Sequence, residues 1–194
     1  MSIDVAGFIT YLKDHAVEHG FHVHDERHFI ETYSLRQAWE VDMHPDFACD
    51  GPLDLNLAFD VEPRTLLDLD EKMADMDDEF AEPEGEWTSQ LVFNWALPAL
   101  QAPPELVIVA AELAGIAGTL IPIEVSAVDS FGALSNAPER RLSMVGKVDV
   151  SLVDVMLGRE KLCDVLDTCR DVSEWIVDNA ASWKPQDPEP EPGD

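Results

Sequence analysis

Between Pro63 and Phe80, the segment PRTLLDLDEKMADMDDEF places its large apolar residues at Leu66, Leu69, Met73, Met76 and Phe80. Steps of three and four put all five on one face of a helix. Most of the residues between them are Asp or Glu. Pro63 suits a first helical turn, and Thr65 with Asp68 resembles a capping box, so a helix over 64–80 is predicted. Asp77, Asp78 and Glu79 at its far end oppose the helix dipole. Burying so narrow a stripe does not offset the entropy of ordering about fifteen residues. Such a helix must lie across a sheet or across a partner, and that requirement constrains the whole chain. The expected place for the stripe is the chain's own core. Leu69, Met73, Met76 and Phe80, with Trp183 near the end of the chain, are the candidate partner-binding residues.

The flanking sequence supplies the sheet. Leu35, Gln37, Trp39, Val41 and Met43 recur at every second position, and so do Leu53, Leu55, Leu57, Phe59 and Val61. Period two is the rhythm of a half-buried strand. Turn residues at His44–Pro52 join the two as an antiparallel pair. Phe21–Tyr33 reads as a short strand or irregular edge, Trp87–Leu97 and Ile121–Val128 as strands, and Arg140–Val150 as a returning strand. Further helices are predicted over 2–19, 104–115 and 159–182, with a strand over Leu106–Ala111 as the alternative to part of the third. The last is striped by Leu162, Leu166, Cys169, Val172 and Ile176. The fold class is α+β: a two-layer arrangement of a mostly antiparallel sheet of five or six strands, with helices mainly on one face. Residues 1–183 read as one domain, and 184–194, KPQDPEPEPGD, as a disordered acidic Pro-rich tail.

Forty acids against twelve bases give 194 residues a formal net charge of -28. Nucleic-acid phosphates and anionic lipid repel such a chain, so neither nucleic acid nor membrane is an expected partner. Three readings of the charge remain: an acid-rich proteome, an acidic binder of a basic protein, and a nucleic-acid mimic. No run of about 18 apolar residues offers a membrane span. The first residues lack the basic start of a signal peptide. Three cysteines, at 49, 163 and 169, form no disulfide framework, and a cytoplasmic location is expected.

All six histidines lie at or before position 44. His15-Ala-Val-Glu18-His19 matches H-x-x-E-H, which resembles the zinc motif of the inverzincin metallopeptidases. That resemblance implies zinc on His15 and His19, with Glu18 as the base. His22 and His24 complete the candidate metal-binding set. A third ligand would have to come from further along the chain. The simpler reading, a helix end and edge strand that happen to be His-rich, is preferred, so no cofactor is expected and zinc is the alternative. An EF-hand count from Asp68 fails, because Lys72 stands at the fifth place and Met73 replaces the required Gly. Dinucleotide loops, P-loops and G-x-S-x-G elbows are absent from the sequence.

With no catalytic residue to name, the expected function is a non-catalytic acidic protein-interaction protein, chaperone-like or adaptor-like. Its partner is another protein, in the simplest case a basic one, or a second copy in a homodimer. The element order is loosely similar to that of small acidic secretion-type chaperones. The alternative is a metal-dependent hydrolase that uses the N-terminal His cluster.

Overall fold

Trp39, Val41 and Met43 are buried while Glu40, Asp42 and His44 beside them are half-buried, and the buried alternation recurs over Asp54–Val61 and Thr88–Ala96. That alternation builds a sheet with one face against the core and the other facing out. A computed structural model describes residues 3–76, 82–100, 102–131 and 139–183. In chain order the elements are α1 (Val5–Glu18), β1 (Phe21–Ile30), β2 (Gln37–Pro45), a 3-10 turn (Asp46–Ala48), β3 (Asp54–Val61), α2 (Pro63–Ala74), β4 (Thr88–Ala96), α3 (Leu106–Ala117), β5 (Ile123–Ser130), β6 (Glu139–Ser151), α4 (Leu152–Leu157) and α5 (Cys163–Ala180), followed by a 3-10 turn at Ala181–Trp183. Every strand pairs antiparallel with its neighbours, in the order β1-β2-β3-β4-β6-β5. The α+β class expected from the sequence is the one observed, with six strands.

One hydrophobic cluster joins the helices to the inner sheet face. Asp4 caps α1 by accepting the Gly7 N–H at 2.8 Å, and Phe8, Ile9 and Leu12 turn inward. The Phe8 ring meets Phe59 of β3 with centroids 5.2 Å apart. The Trp95 indole N–H of β4 donates to Ser173 Oγ of α5 at 2.9 Å, and that hydroxyl donates to the Cys169 carbonyl at 2.8 Å. A fully buried polar group is thereby satisfied while two layers are tied together. Gly146 is required beneath this contact. A Cβ there would lie 2.5 Å from Ile121 Cγ2 and 3.1 Å from Trp95 Cζ3.

The acidic segment does lie on this core. Leu69 is fully buried, and Leu66 and Met73 pack partly buried against the same cluster. The capping box does not form: Glu62 is the N-cap and makes no side-chain cap bond. The Asp68 carboxylate instead accepts the Trp87 indole N–H at 2.7 Å, which pins the helix across the layer. The described helix ends at Ala74, short of the expected position 80; residues 77–81, Phe80 included, lie outside the described part. Leu35 is not the first inward residue of a strand. It occupies the β1–β2 turn at φ 59° and is 61% exposed. The helix predicted over 159–182 is α5, which begins at Cys163, and a separate short helix, α4, precedes it and ends at Gly158, whose φ is 62°. Residues 106–111 are helical, which settles the strand alternative there. The expected tail at 184–194 lies outside the described residues. Among them, no helix is long and apolar enough to cross a membrane.

Candidate metal centre

Two helix faces meet where α1 ends. His15 and His19, four residues apart, project from the same side of α1 and its C-cap, with ring centroids 4.7 Å apart. Facing them, Cys163 and Asp167 are also four apart on the first turns of α5. The contacts form two matched rungs. His15 Nε2 lies 3.1 Å from Cys163 Sγ, and His19 Nδ1 lies 2.6 Å from Asp167 Oδ1. Glu18 adds a third contact, its Oε2 3.1 Å from His15 Nδ1.

These contacts assign the ring nitrogens. A carboxylate on Nδ1 of each imidazole favours Nδ1–H as the donor and leaves Nε2 with the lone pair. A ligand atom from each of His15, His19 and Cys163 falls within 4.8 Å of the others. Tetrahedral zinc, with Zn–N of about 2.0–2.1 Å and Zn–S of about 2.3 Å, holds its ligands roughly 3.3–3.6 Å apart. The required closure is therefore about an ångström, within side-chain reach. Imidazole and thiolate suit zinc, whereas magnesium and calcium prefer oxygen.

Beside the cluster, α1 and α4 enclose a cleft of about 440 Å3, lined in part by Phe8, Tyr11, Met156 and Glu160. The Tyr11 ring stacks on His15 with centroids 5.5 Å apart. Burial, and then the charges of Glu160, Cys163 and Glu18, push the Tyr11 phenol above its ordinary pKa. Glu160 Oε2 is buried in the cleft wall with no hydrogen-bond partner among the described residues.

The four histidines expected to act together are thus divided. His15 and His19 stay on α1, while the chain turns at Gly20 (φ 81°) and carries His22 and His24 onto β1. There His22 and His44 are register partners, and Cys49 Sγ lies 3.3 Å from His22 Nδ1. The donor atoms of His22, His44 and Cys49 also fall within 4.8 Å of one another, and the His24 ring lies 4.5 Å from that of His44. His28 stands apart, stacked on Trp39 at 4.2 Å. Cys163, Asp167, His44 and Cys49 were not among the candidates read from the sequence. The one local signal for Cys163 was that it falls outside the apolar stripe of Leu162, Leu166, Cys169, Val172 and Ile176. Of the candidate partner-binding residues, Leu69 is buried in the chain's own core, the place expected for the stripe, Trp183 is buried as well, and Met73 and Met76 are half-buried. Comparison with family models, with curated proteins and with solved structures finds no match to this chain.

Proposed function

We propose that this chain is a non-catalytic, zinc-binding protein-interaction protein in which His15, His19 and Cys163 clamp α1 to α5. The observation that carries the reading is the pair of rungs, His15–Cys163 and His19–Asp167, which brings zinc-type ligands together from opposite ends of the sequence. Carboxylates already orient both imidazoles, so little ordering remains for the metal to impose. Metal bound only in the folded state adds its binding energy to folding. A hydrolase would need Glu18 free to act on water, and its position against His15 Nδ1 is instead that of an orienting group.

The interaction role is supported by α3. Val107 is 74% exposed and Ile108 58%, and Glu112 is the one charged residue in this twelve-residue helix. In a chain with a net charge of -28, such a face suits contact with another protein, a second copy included. Metal analysis of protein purified without a His tag tests the first part. One zinc that is lost in Cys163→Ser and His19→Ala supports it, and zinc content indifferent to both substitutions overturns it. Zinc-dependent turnover of peptide or ester substrates would overturn the non-catalytic assignment. For the interaction, sedimentation with and without Ile108→Glu reads self-association, and a pull-down compares the same two proteins for a foreign partner.

A further inference from the structure

The second cluster lies where β1, β2 and the 3-10 turn meet. His22 and His44 sit opposite each other across the strand pair, turned away from Val23 and Met43 and hence from the core. Between Val23 and Asp25 the register shifts, and the extra residue is His24. Such a bulge re-aims a side chain at the cost of regular pairing. Here it sets the His24 ring against His44. Cys49 ends the 3-10 turn, and Asp50 after it holds φ at 66°, a region that non-glycine residues rarely occupy. The turn itself is anchored from two sides. The Asp46 N–H donates to the Gly20 carbonyl at 2.9 Å, and the Arg170 guanidinium of α5 lies 5.9 Å from the centre of the Phe47 ring. Bulge, left-handed residue and anchored turn all act on one spot, and there Cys49 Sγ stands 3.3 Å and 3.9 Å from the Nδ1 atoms of His22 and His44.

We infer that His22, His44 and Cys49 form a second, independent site for a zinc-class divalent cation, with His24 the nearest further donor. The donor set decides the class. Two imidazoles and a thiolate within 4.8 Å of one another match zinc, and cobalt as its stand-in, better than calcium or magnesium. His44 Nδ1 lies 2.9 Å from the Pro45 carbonyl oxygen; as a donor there it is held by the backbone and leaves Nε2 as the nitrogen with the lone pair, as carboxylates do for His15 and His19. The chain's net charge of -28 draws cations to either site but supplies no thiolate, which makes thiolate ligation the discriminating property.

The test uses full-length protein titrated with Co2+ in the presence of excess Mg2+, following the thiolate-to-cobalt charge-transfer band. Five proteins are compared: wild type, Cys163→Ser, Cys49→Ser, the double variant and His44→Ala, each checked for fold by circular dichroism. A thiolate-bound equivalent that survives Cys163→Ser, is lost on adding Cys49→Ser and weakens about tenfold or more in His44→Ala supports the second site. Should Cys163→Ser fail to fold, the same conclusion follows if wild type binds one thiolate-ligated equivalent more than Cys49→Ser. A band unchanged by Cys49→Ser overturns the second site, as does cobalt bound with no charge-transfer band once Cys163 is gone. A band that depends on Cys49 alone keeps the second site and removes the first, so the two proposals fail separately.

Discussion

The two cysteine–histidine clusters use the same side chains on different foundations. The first stands on two helices, and each of its imidazoles meets a carboxylate, Glu18 or Asp167. The second stands on a strand pair and a short turn, and one of its imidazoles meets a backbone carbonyl. Helix faces present ligands at a fixed four-residue spacing, and their rotamers are restricted by the preceding turn. A turn depends on its own φ angles and on whatever holds it down. On the proposed reading, the first site should be the better preorganised and the tighter binder, and the second the more easily displaced.

The largest effect separates both clusters from the core. Cys49 and Cys163 are exposed, whereas Cys169 is completely buried and its thiol is pushed well above its ordinary pKa by that burial. Its pKa is raised, so the neutral, unreactive form persists across the neutral pH range where a free thiol begins to ionise. In native protein at pH 8, a thiol reagent should modify two cysteines and leave the third slower by a factor on the order of 10^3 or more, because reaction waits for the unfolded fraction. Zinc should then protect Cys49 and Cys163 directly, and slow Cys169 further only by lowering the unfolded fraction. Three thiols reacting at similar rates would break the division between clusters and core.

The next effect falls on the first site alone. Losing one of its three protein ligands through Cys163→Ser should weaken zinc there by roughly a hundredfold, about a sixth to a quarter of the about 10–16 kcal/mol seen for structural zinc. Competition with a chromophoric chelator measures it, and the second site should hold its affinity. Asp167→Asn is milder. It keeps an acceptor near His19 and removes the charge, and about a tenfold loss is expected, at the low end for an outer-shell partner. No loss would mean that Asp167 merely happens to lie beside His19.

The sequence showed the sheet and helix stripes well because a one-sided sheet enforces period two. Gln37 to Met43 and Leu55 to Val61 alternate plainly for that reason. The ten-residue β1 was harder to read, since beyond Val23 all its residues are exposed and no alternation survives. Asp68 was misassigned for a different reason. A capping box is local, whereas its actual partner, Trp87, lies nineteen residues further on and only the fold brings it close. The two cysteine–histidine clusters divide in the same way. The i, i+4 pair His15 and His19 was legible on one helix, but Cys163 reaches His15 across 148 positions. Grouping His22 and His24 with that pair followed sequence proximity, and Gly20 turns the chain between them.

The smallest expected effect tests whether the strained turn is what aims Cys49. Asp50 sits in the left-handed region at φ 66°, where Asp is tolerated and a β-branched residue is strained by about 1–2 kcal/mol. Asp50→Val should push the turn toward an extended path and swing Cys49 away from His22 and His44. If about 1 kcal/mol of that strain is relieved by abandoning the metal-binding geometry, affinity at the second site falls about fivefold. Asp50→Gly accepts the same φ without a Cβ and should leave metal binding nearly unchanged, which separates backbone geometry from loss of the carboxylate. The first site, on the α1–α5 face, should not respond to either substitution. Equal weakening of both sites by Asp50→Val would mean that the turn supports the fold as a whole. A loss at the second site with Asp50→Gly as large as with Asp50→Val would assign the effect to the carboxylate. Only a loss confined to Asp50→Val and to the Cys49 cluster shows the turn holding its ligand in place as the helices hold theirs.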